Sequence, residues 1–439
     1  MYEGNELITV LMTTYNREMY VRESIRSVLD QTYTNIQFII INDGSTDSTA
    51  EILDNINDNR VQVIHLPENR HISYATNAGY DHIRGDYVAV MDSDDIWKAD
   101  KLEKQLEYMK AHPEHEACFT WGDIIDENGA DQNAKYWDYK CLFSATTGTR
   151  EEWLRFFFYK GNRLINPSSL VKTKALKKIG KHNPFYIQAQ DMEWWVRFTK
   201  EFSFGVIQEP LMCIRVLGNN TTSYENENDS RRTRFYNEMM QIRYHFFDDI
   251  DRELFINAFK QDFVCEDSST DEELKCEQAF LMMKPFENCK SSAAVALIKF
   301  DELMNDTATA DVLWEKFGFG TRQIGVFTEQ NLYFDRYAEQ LDNENARLRK
   351  QHKKDIEKVY SSTVVSNIVR SNNKLLEDYS DHLNKELKEI KNENAGHKQH
   401  IAELEAELRR VSNSLNTVVN SSSWKLTAPL RKIKDRKNK

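Results

Sequence analysis

At 439 residues, with 40% hydrophobic and 11% aromatic residues, the chain is too long for one compact domain and too apolar to be disordered throughout. Its 70 acidic against 58 basic residues leave a net charge of −12, which argues against a nucleic-acid binder, and its six cysteines show neither zinc-knuckle nor Cys-x-x-Cys redox spacing. No apolar run approaches the roughly 20 residues of a membrane span, and no signal-peptide pattern follows Met1, so a cytoplasmic protein with free thiols is expected.

Strand-like apolar runs alternate with helical patterns through the first half. Leu7–Met12 reads as a strand, and Val21, Ile25, Val28 and Leu29 recur at the spacing of one helix face. Phe38–Ile41 is a short, wholly apolar run of the kind buried inside a parallel sheet. Ser48–Ile56 is a predicted helix, Val61–His65 a strand, Ser73–Ile83 a helix and Tyr87–Met91 a strand. Repeated β–α units of this length predict a doubly wound α/β layer, whose ligands bind beyond the carboxyl ends of the strands. No glycine occurs from Asn219 to Phe317, and Pro285 is the one proline there, so long helices are expected after the polar stretch Asn219–Arg232. From Asn331 onward charged and amide residues dominate. The predicted organisation is an α/β domain over 1–225, an α-helical region over 226–330, a helical, coiled-coil oligomerisation region over 331–420 and a basic amphipathic tail over 421–439.

Acidic residues sit at two of the predicted strand ends. Asp43 follows Phe38–Ile41, and Asp92, Asp94 and Asp95 follow Tyr87–Met91, so a parallel sheet places them on one edge. Carboxylates facing a diphosphate repel it unless they hold a hard divalent cation, the task to which such a cluster is suited. An isolated Asp-x-Asp is weak evidence, because aspartates also form turns and caps. The series of motifs is stronger. TVLMTTYN (Thr9–Asn16) is followed by SVLDQTYTNIQFIIINDGSTDST (Ser27–Thr49) and GDYVAVMDSDDIW (Gly85–Trp97), then by PSSLVKTKALKKIG (Pro167–Gly180) and QAQDMEWWVRF (Gln188–Phe198). This series resembles the family 2 glycosyltransferases with the GT-A fold, over roughly residues 6–224.

The resemblance implies a Rossmann-like, mostly parallel sheet with helices on both faces. It implies that Thr13 and Tyr15 line a nucleotide base, that Asp43 accepts a hydrogen bond from it, and that Asp92 lies near the ribose. Asp94 would ligate a Mn2+ or Mg2+ ion on the diphosphate, and Asp191 would be the general base. The implied activity is inverting, metal-dependent transfer of a sugar from a nucleotide-diphosphate donor, UDP- or dTDP-linked. The acceptor would be a hydroxyl of a growing cell-surface glycan or lipid-linked glycan. Such a displacement needs a cation for the departing diphosphate and a base for the attacking hydroxyl, so a missing Ser/His/Asp arrangement does not count against it. The absence of GxGxxG and GxxxxGK[ST] disfavours dinucleotide oxidoreductases and P-loop enzymes.

The sequence departs from the family pattern in three places. Gln190 replaces the acidic neighbour of Asp191, and Leu217 stands where many members have a metal-binding His. His71 and Thr76 stand where glycine and a basic residue are usual, leaving Arg70 or Arg215 as candidates to hold phosphate. Gln190 and Leu217 also keep an alternative in play, a catalytically inactive scaffold in a glycan-assembly complex. The pair Trp194–Trp195 is expected in the core.

In the last quarter, Leu383, Leu387, Ile390, Asn394, His397, Ile401, Leu404, Leu408, Val411, Leu415 and Val418 recur in steps of four and three. That spacing is a heptad seam and predicts a homo-oligomer through a C-terminal coiled coil, with Asn394 fixing register. Trp424–Lys439 holds seven basic residues and one acidic among Trp424, Leu426, Leu430 and Ile433. It reads as an interfacial segment drawn to anionic lipid, giving a peripheral contact with the inner face of the plasma membrane.

Overall fold

The computed structural model describes residues 6–136, 140–141, 143–217, 229–286, 293–329, 344–354, 377–386, 388 and 398–420. Strands β1 (Ile8–Thr14), β2 (Ile36–Asn42), β3 (Val61–His65) and β4 (Tyr87–Asp92) alternate with helices α1 (Val21–Leu29), α2 (Thr49–Asp54) and α3 (His71–Tyr80). These are the predicted elements, with ends displaced by a few residues. Then come β5 (Ile96–Trp97), α4 (Lys101–Ala111), β6 (Ala117–Ile125), β7 (Leu170–Lys172) and β8 (Phe204–Arg215), in an eight-stranded sheet ordered β3-β2-β1-β4-β7-β6-β8-β5.

From β3 to β4 the strands are parallel. Beyond β4 the sheet is mixed: β7 runs antiparallel to both β4 and β6, β6 is parallel to β8, and β5 is antiparallel to β8. An antiparallel neighbour needs no crossover helix, so the short β7 enters directly from the 3-10 turn Asn166–Ser168.

Successive strand residues point to opposite faces, so β1 and β2 feed two cores. Val10, Met12, Phe38 and Ile40 pack with Val21 and Ile25 of α1, Leu53 of α2, and Leu102 and Leu106 of α4. Leu11, Ile39 and Ile41 belong to the opposite core, with the helices Arg150–Lys160 and Gln190–Glu201. Helices therefore cover both faces, as expected.

The second core continues into the helical region. Phe158 packs on Phe246, Phe247 and Phe259 with ring centroids 5.0, 4.9 and 5.5 Å apart. Beneath them the buried Arg243 donates Nη1–H to the Phe158 carbonyl at 2.8 Å. Helices here start at sequence-encoded caps: Asp251 accepts from the Leu254 N–H, and Thr270 and Glu273 form a reciprocal capping box. Met1–Phe334 is accordingly one compact unit.

Asp335–Lys439 is a second unit. Its helix Lys398–Asn420 spans 23 residues, with Leu404 buried between the exposed Glu403 and Ala406 faces. Of the predicted seam, Leu387, Ile390, Asn394 and His397 lie outside the described residues, as does the basic tail. No helix among the described residues is long and apolar enough to cross a membrane.

Candidate active site

Parallel register gathers the strand ends. Thr13 of β1 is paired with Ile41 of β2 and with Asp92 of β4, and Thr14 with Asn42. Tyr15, just past β1, is 40% exposed and presents its ring at this edge. Asn16 then turns the chain at φ 50° and clasps the loop after β2: its N–H donates to Ser45 Oγ at 3.0 Å, and its Oδ1 accepts from the Thr46 N–H at 2.8 Å. Asp43 is buried, donates its N–H to the Thr14 carbonyl, and accepts from the Arg70 N–H at 2.9 Å. Gly44 has φ +67°, and a Cβ there would lie 2.5 Å from the Glu68 backbone, so the Asp-Gly-Ser turn requires glycine. His71, the residue standing for the family's glycine, is also left-handed, at φ 66°.

The three aspartates after β4 divide their work. Asp95 turns inward, accepting the Arg215 N–H at 2.9 Å on its side chain and the Ser24 hydroxyl at 2.7 Å on its carbonyl. Asp94 faces Arg17, whose Nε lies 3.2 Å from Oδ2. Burial raises the proton affinity of all three. Asp92 is pushed up to about 7 by burial and then by the charges of Asp94 and Asp191. For Asp94 burial outweighs the opposing Arg17 guanidinium, and Asp95 is driven well above the usual range by burial, Asp94 and Asp92. Carboxylates that raise one another in this way form a site short of positive charge. Asp92 and Asp94 offer oxygen donors alone, which suit Mg2+ or Mn2+ better than a softer metal.

Arg215 is not placed to hold phosphate. It is 1% exposed and donates to the carbonyls of Asp94 at 2.8 Å and of Asp126 and Glu127 at 3.0 Å, and to Glu23 Oε2 at 2.6 Å. Its role is to tie the end of β8 beneath the aspartate turn. Leu217 is buried and brings no metal ligand. The Arg70 guanidinium lies 3.7 Å above the Tyr74 ring.

Asp191 lies in the first turn of the helix Gln190–Glu201. Its Oδ2 accepts from Asn162 Nδ2 at 3.0 Å, and its Oδ1 accepts from the Met192 N–H at 2.7 Å. Burial raises it to about 6, in spite of these hydrogen bonds. Its charge adds to that of Asp94 in raising Asp92. Trp194 and Trp195 are buried, donating to the Gly180 carbonyl at 2.9 Å and Asn166 Oδ1 at 3.0 Å, and they are core as expected.

Residues 9–177 match the model of glycosyl transferase family 2. An uncharacterized glycosyltransferase of Methanocaldococcus jannaschii is 32% identical over 215 residues, covering 48% of this chain and 71% of that protein. The chain belongs to glycosyl transferase family 2. TuaG of Bacillus subtilis, named for teichuronic acid biosynthesis, is 44% identical over 111 residues, 25% of the chain and 44% of TuaG, so this match spans less than half of that relative. A crystal structure of S. aureus TarS 1–349 with UDP-GlcNAc aligns with a TM-score of 0.46 at 16% identity, covering 66% of this chain and 87% of that one.

In this glycosyltransferase the fold brings Thr13, Tyr15, Asp43, Asp92 and Asp94 to one sheet edge and places Asp191 in the first turn of the helix Gln190–Glu201. Two residues beside the candidate site were not legible from the sequence. Arg17 follows the Tyr-Asn turn directly, and that adjacency was its one signal. Asn162, which hydrogen-bonds Asp191, lies 29 residues before it, outside any motif. Only folding brings Asn162 to the Asp191 helix.

Proposed function

We propose that the protein is an inverting glycosyltransferase that moves a sugar from a UDP- or dTDP-linked donor to a hydroxyl of a growing cell-surface glycan. The observation that supports this reading is the parallel register that gathers Thr13, Asp43 and the Asp92–Asp94 turn at one sheet edge, together with the Asp191 carboxylate held by Asn162 and the Met192 N–H in the first turn of its helix. Tyr15 would stack on the base, Thr13 would line it, Asp43 would accept one of its N–H groups, and Asp92 would lie near the ribose. Asp94 would hold a divalent cation, Mn2+ or Mg2+, which when bound supplies positive charge for the departing diphosphate. Arg17, next to Asp94, is a guanidinium available to phosphate oxygens.

Asp191 takes the acceptor's hydroxyl proton as that oxygen attacks the anomeric carbon. The bond from that carbon to the diphosphate breaks on the opposite face, and the nucleoside diphosphate leaves with the electron pair. One displacement inverts the anomeric configuration, and no protein nucleophile is needed. We further propose self-association through the Leu404 face of the second unit and membrane contact through the basic tail. The deciding experiment offers a panel of UDP- and dTDP-sugars with Mn2+, with Mg2+ or with chelator, reading products by mass spectrometry and anomeric configuration by NMR. Cation-dependent transfer with inversion supports the reading. Retention of configuration, or undiminished transfer in chelator, overturns it.

A further inference from the structure

We propose that Glu238, on the helix Asp229–Tyr244, is a positioning residue for Asp191, so that the helical region takes part in sugar transfer. The inference rests on the reading of Asp191 as the base. Glu238 lies well past the segment matched by the family model, yet its carboxylate is 4% exposed and meets the loop that leads into the catalytic helix. Three successive backbone N–H groups converge on it: Ile187 at 3.1 Å on Oε1, and Gln188 at 2.8 Å and Ala189 at 2.7 Å on Oε2. A carboxylate is costly to bury unless it is so satisfied, and an apolar side chain could fill the same space without that cost. What the carboxylate adds is direction, because three consecutive N–H donors fix the path of the chain two residues before Asp191.

The loop is gripped from its other side as well. Ser73 of α3 donates to the Tyr186 carbonyl at 2.6 Å, and Asn77 exchanges two hydrogen bonds with the His182 backbone, both at 2.8 Å. Gln190, oriented to satisfy its amide, donates to the carbonyls of Ile187 and Gln188 at 3.1 and 3.2 Å. A glutamate could not make those donations, which gives the departure at this position a physical reason. Asn162 then orients the Asp191 carboxylate itself. The Glu238 charge adds to burial in raising the proton affinity of Asp191.

The test is Glu238→Gln in the full chain. An amide nitrogen cannot accept, so at least one of the three N–H groups is left facing a donor and the loop shifts. Displacing a catalytic group by about an ångström can cost on the order of 10²-fold in rate, and kcat is expected to fall by that much. The affinity for UDP with Mn2+, read by calorimetry, should stay within about twofold, because the donor edge is built elsewhere. In an Asp191→Asn background Glu238→Gln should cause no further loss of kcat, since the two act as one unit. If Glu238→Gln does not fold, the same readings are made on Glu238→Asp, which keeps the charge and withdraws it by one methylene. Unchanged kcat in the folded variant, or additive losses in the double variant, overturns the proposal while leaving Asp191 in place. An active Asp191→Asn enzyme instead overturns the base assignment, and this proposal with it.

Discussion

As the proposed base, Asp191 combines two demands that conflict. A base must be ionised at working pH, whereas burial favours its neutral form and raises it to about 6. Transfer should therefore show an acid limb near that value, rising as pH increases and Asp191 loses its proton. Asp191→Asn should lower kcat by about 10²–10⁴-fold with donor affinity nearly intact, and the acid limb should go with it. The same shift has a consequence for stability. A carboxyl raised in the folded state costs stability progressively as pH climbs from its unfolded value to its folded one. Asp191→Asn should thus stabilise the fold at neutral pH by on the order of 3 kcal/mol, with no such gain at pH 3, as read by urea titration. Asp94→Ala belongs to the sheet edge. It should remove the Mn2+ dependence of UDP binding in calorimetry as well as turnover, and an unchanged metal dependence would place the cation on other ligands.

Among the elements, the loops beyond β1, β2 and β4 carry the proposed donor-binding residues, and each is held by backbone geometry. At the mouth of α3, His71 keeps a left-handed φ of 66° with its side chain exposed. A residue with a Cβ pays roughly 1–2 kcal/mol for that conformation, whereas glycine adopts it freely. Restoring the family residue, His71→Gly, is expected to raise stability by about 0.5–1 kcal/mol after the loss of chain entropy, measured by chemical denaturation. Arg215 explains why the aspartate turn can be rigid without a metal-binding His after β8. Its guanidinium already joins Asp94, Asp126, Glu127 and Glu23.

For the whole molecule, the proposed separation of chemistry from tethering follows the two units. The donor edge and Asp191 lie within Met1–Phe334, and the Leu404 helix and basic tail lie within Asp335–Lys439. Deleting Ala402 onward should dissolve the oligomer and release the protein from anionic liposomes, yet leave transfer to a small soluble acceptor largely unchanged. Light scattering, flotation and a transfer assay read the three outcomes independently. A truncated protein that stays oligomeric moves the contacts into the helices before Phe334, and collapse of soluble transfer refutes the separation.

The amino-acid sequence by itself determined the alternation of strands and helices and the family motifs at the strand ends and around Asp191. These are local matters: apolar periodicity sets each element, and consecutive residues such as Tyr15–Asn16, Asp43–Gly44 and Asp92–Asp94 carry their own spacing. Tertiary structure alone decided what depends on separation along the chain. Asp94 meets Arg17 across 77 residues, Arg215 reaches Glu23 across 192, and Glu238 closes on the loop before Asp191 from about 50 residues away. It also decided that the helices after Asp229 share a core with the sheet, because Phe158, Phe246, Phe247 and Phe259 become neighbours only when the chain has folded. No periodicity spans such distances: which buried charge finds which partner is set by packing, and packing is a property of the assembled fold.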